Sequence, residues 1–149
     1  MKISYKGDYA LKALLELAVC YRDGGGAVVP IAALAKQLDI PQKFLEAILV
    51  NLKRGGFVTS KRGKDGGYAL AKHPGRTTLG AVVRFVDGPI EPIACCNDCY
   101  KGCKDLETCV LRAVWNRSAE AVSSVVDGIT LEQLARDAEA RRRPPDFCI

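Results

Sequence analysis

The sequence contains no stretch of 18 apolar residues, and its opening fifteen residues are interrupted by Lys6, Asp8 and Lys12, with Glu16 following. Neither a helical membrane span nor the apolar core of a secretory signal fits that pattern, so no membrane partner and a cytoplasmic address are expected. Histidine is nearly absent, with His73 alone. No acid-base pair and no nucleophile with its base is recognisable, which argues against an enzyme. No internal repeat is present.

What remains is a chain of 149 residues, 48% apolar and 26% charged, enough for one core plus an extension. Its charge is uneven. Residues 1–76 hold thirteen Lys and Arg against six Asp and Glu, a net +7, whereas residues 77–149 hold nine against eleven, a net −2. The basic half is the place to seek an anionic partner. Seven cysteines are present, an odd number in a chain with a reducing address, which favours metal binding or redox chemistry over a disulfide framework.

Leu11, Leu14, Leu15 and Ala18 recur at helical spacing, with Lys12 and Glu16 off the stripe, and predict an amphipathic helix over about residues 4–21, ended by Asp23-Gly24-Gly25-Gly26. Ile31, Leu34, Ala35 and Leu38 predict a short second helix with Pro30 near its first turn. Asp39-Ile40-Pro41 breaks it. A third helix starts at Gln42, carries Leu45, Ile48, Leu49 and Leu52 on one face, and stops at Gly55-Gly56. Two short helices across a tight turn outline a helix-turn-helix. Residues 57–61 and 67–71 then read as two strands joined by Arg62-Gly63-Lys64-Asp65-Gly66, a hairpin whose tip is basic. Helices are further expected over 78–86, over 106–126 and through Leu131, Leu134, Ala135 and Ala138, before the polar tail Arg141-Arg142-Arg143. The 106–126 segment carries Val110, Leu111, Val114, Trp115, Ala121, Val122 and Val125, a stripe too wide for a lone exposed helix. Such a helix packs on the body or on a second copy, and a homodimer is the expectation. The fold class is mainly α: a winged helix-turn-helix over 1–76, then a cysteine-rich loop and a long C-terminal dimerisation helix over 77–149.

A helix in the major groove beside a basic wing places side chains on base edges and cations on phosphates together. The exposed face of the third helix offers Gln42 for adenine, Lys43 for guanine or phosphate and Glu46 for a cytosine amine, while Lys61, Arg62 and Lys64 on the wing face the backbone or minor groove. Cys95, Cys96, Cys99, Cys103 and Cys109 put five thiols within fifteen residues, the soft donors that iron-sulfur clusters and zinc select. Cys20 reads as a small core residue, Cys148 as a free thiol on the tail, and Trp115 and Tyr68 as core packing.

The opening Ile3-Ser4-Tyr5-Lys6-Gly7-Asp8-Tyr9-Ala10-Leu11, the Ile31-Ala32-Ala33-Leu34-Ala35 helix, Phe44-Leu45-Glu46 with Leu52-Lys53, Arg62-Gly63 with Gly66-Gly67-Tyr68-Ala69-Leu70, Gly88-Pro89-Ile90 and the run Cys109 to Trp115 together resemble the Rrf2 family of bacterial winged-helix transcription regulators. That family includes the iron-sulfur cluster regulator, the nitric oxide sensor and the rhizobial iron regulator, and the resemblance spans nearly the whole chain. It implies a homodimer crossed through the long helices on a palindromic operator in double-stranded DNA, with Glu46 and Arg62 at DNA-contacting positions. It also implies an iron-sulfur cluster, of the 2Fe-2S or 4Fe-4S kind, held by three cysteines before the long helix. Cys95, Cys103 and Cys109 match those places, with Cys96 and Cys99 as substitutes. The ligand histidine of the iron-sulfur cluster regulator, three residues after the last cysteine, is Arg112 here. The resemblance to the nitric oxide sensor points instead to Asp8, reaching from the partner chain. The residues leave open a first-turn acid at Asp8, a four-thiolate zinc site using Cys96 and Cys99, a metal-free thiol switch, and, in another class, a small iron-sulfur electron-transfer protein.

Overall fold

The computed structural model describes residues 2–24 and 26–142. Among the described residues the chain forms α1 (Tyr5–Gly24), α2 (Ile31–Leu38), α3 (Gln42–Arg54), β1 (Val58–Lys61), β2 (Gly67–Leu70), α4 (Leu79–Asp87), α5 (Val110–Asp127) and α6 (Leu131–Arg142), with single 3-10 turns at Pro74–Arg76 and Ala94–Cys96. It is the mainly α winged helix-turn-helix that the periodicity predicts.

α1 is the central post. Ala10, Ala13, Leu14, Leu17 and Ala18 are buried along it, with Leu11 and Leu15 packed beside them. α2 and α3 close on this face through Leu34, Ala35, Leu45, Ile48, Leu49 and Leu52; each buried leucine or isoleucine contributes about 1.5–3 kcal/mol relative to an exposed one. The turn between them is short because Asp39 adopts the left-handed region (φ 53°), a conformation a small polar side chain tolerates. Its N–H and that of Ile40 return to the carbonyls of α2, and Ile40 is buried. The non-helical residue after it, Pro41, caps α3.

The wing is antiparallel, in register from Val58 opposite Leu70 to Lys61 opposite Gly67. A bridge fixes it to the helices: Val29 and Tyr68 exchange backbone hydrogen bonds at 2.8 and 2.9 Å. Gly67 is required there, since a Cβ would collide with the Val29 carbonyl. The chain then returns to the core. The Thr78 hydroxyl caps α4 by accepting from Ala81 N–H (3.2 Å), Leu131 N–H donates to the Thr77 carbonyl (2.9 Å), and Leu131 and Ala135 of α6 are buried against α1.

Five expectations need correction. α1 runs three residues further, to Gly24. α5 starts at Val110, not near Leu106, because residues 104–108 form turns, with Thr108 N–H donating to the Asp105 carbonyl (3.2 Å). Glu16, placed off the stripe by its charge, is only 4% exposed: it accepts a hydrogen bond from Gln37 of α2 and from Arg142 of α6 (2.8 Å). Arg142, read as solvated tail, is therefore a structural cation, and Glu16 holds its guanidinium above its usual range. Trp115 is not core within one chain, being 39% exposed on α5. Tyr68 is half-buried against the core, and Cys20 is half-buried on α1. Arg143 and Cys148 lie outside the described residues.

Candidate nucleic-acid interface and cysteine loop

α3 turns Leu45, Ile48, Leu49 and Leu52 inward, and helical geometry consequently turns Gln42, Lys43 and Glu46 outward, all exposed. Lys61, Arg62 and Lys64 are exposed on the wing, where Gly63 takes φ 109° at the tip. A concave surface of about 560 Å³ lies between helix and wing, and Glu46, Lys53, Lys61 and Arg62 line it with Val50 and Tyr68. Of the six residues expected to meet DNA, Glu46, Lys61 and Arg62 line this surface together, while Gln42, Lys43 and Lys64 are exposed but not among its lining. Lys53 donates to the Ser60 hydroxyl at 2.6 Å, tying α3 to β1. Burial, and then the Glu46 carboxylate, push the Tyr68 phenol above its usual range. Val50 and Lys53, which composition alone did not single out, belong to this surface; their respective i+4 and i+7 offsets from Glu46 are the signal that could have found them.

Asp8 lies in the first turn of α1, half exposed, and pairs with Lys12 at 2.7 Å. Its carboxylate, and Tyr9, raise the Lys12 ammonium above its usual range, hydrogen bonding to Asp8 being the larger cause. The Lys12 Nζ also stands 5.5 Å from the Tyr9 ring centre, and Tyr9 meets Phe44 of α3 edge-on at 5.6 Å. Asp8 is in this way one cation and two rings from the start of α3.

The cysteines divide by exposure. Cys95, Cys96 and Cys109 are half-buried, Cys99 and Cys103 exposed, and none of these five is in a disulfide. Cys95 and Cys96 sit in the 3-10 turn and Cys109 directly precedes α5. Among the described residues no three His, Cys, Asp or Glu side chains converge closely enough to hold a metal ion. The donor chemistry nevertheless suits a soft centre: five thiols are carried on a loop with little regular structure of its own. Arg112, in the first turn of α5, donates from Nε to the Cys95 carbonyl at 2.8 Å and from Nη1 to the Leu106 carbonyl at 3.4 Å. Beyond the loop, α5 exposes Val110 (79%), Leu111, Val114 and Val125 (62%). No described helix is long and apolar enough to cross a membrane.

A two-helix reading head with a basic wing, followed by a thiol loop, defines a winged-helix transcription regulator. The comparisons make the class specific. The family model described as "Rrf2: Iron-dependent Transcriptional regulator" matches residues 3–137. The rrf2-like HTH-type transcriptional regulator of Rhodobacter capsulatus is 37% identical over 140 residues, covering 89% of this chain and 91% of its own. The HTH-type transcriptional regulator IscR of Yersinia enterocolitica is 32% identical, covering 93% and 82%. Among solved structures, the global cysteine regulator CymR of B. subtilis matches with a TM-score of 0.76 and 33% identity over 92% of this chain and 98% of that one. IscR of T. potens matches at 0.77 and 26% over 99% and 95%. The chain belongs to the Rrf2 family and is a DNA-binding transcription regulator; its relatives are regulators, not electron carriers or enzymes.

Proposed function

We propose that this regulator acts in the cytoplasm as a homodimer on a palindromic operator, and that thiolates of the 95–109 loop hold an iron-sulfur cluster whose presence sets operator affinity. Residues 1–76 read the DNA and residues 77–149 carry the cluster loop and the dimer helix; the division is one of task, since α4 and α6 share the core of α1. The observation that carries this reading is the seating of five thiols directly before a helix whose apolar face is exposed in the single chain. A helix face with Val110, Leu111, Val114 and Val125 in water is unfavourable, and a second copy of the same face is its natural cover.

On the DNA side, α3 enters the major groove with Gln42, Lys43 and Glu46 toward base edges, while Lys61, Arg62 and Lys64 neutralise phosphate or enter the minor groove. On the sensing side, Cys95, Cys103 and Cys109 are the ligands proposed, with Cys96 and Cys99 as substitutes, and Asp8 of the opposite protomer as the fourth. When bound, a cluster supplies a centre of variable redox and ligation state. The chain's own part is to hold thiolates at the N-terminal end of α5 and to free Asp8 from Lys12 for use across the dimer. The IscR relatives support a cluster. A thiol switch keeps one specific support, because CymR of Staphylococcus aureus, 30% identical, is known in an oxidized form. A zinc site would draw on the Cys96 and Cys99 pair.

Anoxic purification with iron, acid-labile sulfide and zinc assays and an absorbance spectrum separates these readings. Coloured protein with iron and sulfide, losing its colour in Cys109→Ser, is expected. Colourless protein with stoichiometric zinc, or metal-free protein with reversible thiol oxidation, overturns the cluster.

A further inference from the structure

Arg112 stands where a relative's ligand histidine falls, yet guanidinium has no lone pair to give a metal. In this chain it does something else. Its three nitrogens reach three points of the cysteine loop: Nε to the Cys95 carbonyl (2.8 Å), Nη1 to the Leu106 carbonyl (3.4 Å), and Nη2 toward the Asp98 carboxylate (3.9 Å). Cys95 and Leu106 lie at opposite ends of the loop, and the side chain making both contacts is half-buried on the first turn of α5. The Asp98 carboxylate is fully exposed and contributes little. The two carbonyl bonds leave two different nitrogens of one rigid, delocalised guanidinium, which fixes the directions in which both are made. A second internal link supports the same end of the loop, since Asn97 donates to Glu91 at 3.1 Å and accepts from Cys99 N–H at 2.8 Å.

We propose that Arg112 is a positioning residue that pins the start of the cysteine loop to α5, so that Cys95, and not Cys96 or Cys99, is held next to Cys109 as the first ligand. This rests on the cluster reading above. The consequence is a loop whose backbone is tied to α5 before any metal arrives: Arg112 lowers the entropic cost of bringing together residues that are fourteen apart in sequence. Lysine does not replace it, because a single ammonium nitrogen on a flexible stem lacks the two separated donor nitrogens that reach Cys95 and Leu106 at once.

The test compares wild type, Arg112→Lys, Arg112→Met and Cys96→Ser in two measurements. First, in metal-free reduced protein, amide exchange is followed at Cys96, Asn97 and Tyr100, whose N–H groups are bonded within the loop. Both Arg112 variants should exchange there about tenfold faster, a typical effect of losing a charge-assisted hydrogen bond, with exchange in α1 and α3 unchanged as a control for folding. Second, after anoxic reconstitution with iron and sulfide, both variants should release iron to a chelator about tenfold faster, with an altered visible circular dichroism spectrum, while Cys96→Ser matches wild type. Rescue of both readouts by lysine, or unchanged exchange in both variants, overturns the proposal for Arg112; an altered spectrum in Cys96→Ser overturns the choice of Cys95. A wild type that takes up no cluster refutes the cluster reading instead, and the exchange measurement still decides whether Arg112 closes the loop.

Discussion

The two halves of the molecule differ in how far one chain completes them. In the reading half, α1, α2, α3 and the wing bury Leu14, Leu34, Leu45, Leu49, Leu52 and Val58, and the wing is tied to the helices through Val29 and Tyr68. The face proposed to meet DNA, from Glu46 to Arg62, is formed without help from another molecule. In the half proposed to sense, the thiols are near one another in sequence but no three metal-ligating side chains converge among the described residues, and α5 buries only Val126 while its apolar face meets water. The difference teaches where control would enter in the proposed homodimer: the reading head is preformed, so a signal would act most economically by changing how two such heads are spaced, through the half that one chain leaves incomplete.

That contrast can be broken most strongly at α5. Leu111→Glu with Val114→Glu should abolish self-association, a loss of about 3–5 kcal/mol where charges would be buried unpaired, and leave helicity unchanged. Sedimentation and circular dichroism read the two separately, and a stable dimer in the double variant contradicts the assignment of this face. Next in size is Arg62→Ala, expected to weaken operator binding by about 1–3 kcal/mol if it reads a base; if it contacts only phosphate, the log-log salt slope falls by about 1 with uniform weakening across sequences. Unaltered affinity and slope together remove Arg62 from the interface. Gly67→Ala should cost about 1–3 kcal/mol of stability by forcing the wing off Val29; a thermal midpoint equal to wild type shows that the bridge does not hold the wing.

The smallest effect concerns acid. Arg84 grips Asp127 through two hydrogen bonds of 2.6 and 2.8 Å, joining α4 to α5, and holds that carboxyl below its ordinary value of 3.8. A folded value lowered in this way means stabilisation present above the ordinary value and lost as pH falls through the lower folded one. The gap in urea midpoint between wild type and Asp127→Asn should be visible near neutrality and shrink well below 3.8. A gap that is the same at both acidities denies the pair a role. Being exposed, it is a small contribution at any pH.

Periodicity made the reading half legible because its helices bury one stripe each, and the Asp-Gly-Gly hairpin announced itself by turn chemistry. Glu16 escaped for the reason that charge is a poor guide to burial when the partner is 126 residues away at Arg142. The start of α5 escaped because Leu106 continues the apolar pattern across residues whose backbone is turned, and periodicity cannot see an interrupted hydrogen-bond ladder. The candidate metal residues were legible as a group through cysteine density; a choice among them was not, because, as proposed above, it rests on contacts such as Arg112 to the Cys95 carbonyl, which no local pattern encodes. Tyr9 against Phe44 likewise joins two helices whose adjacency no local pattern encodes.

The most direct test of the central claim is the affinity of one preparation for one operator duplex, measured anoxically by fluorescence anisotropy before and after the bound centre is removed with a chelator. A change of about tenfold or more, within the range usual for coupled sites and restored on reloading, is the predicted result. Equal affinity in the loaded and emptied protein would contradict it.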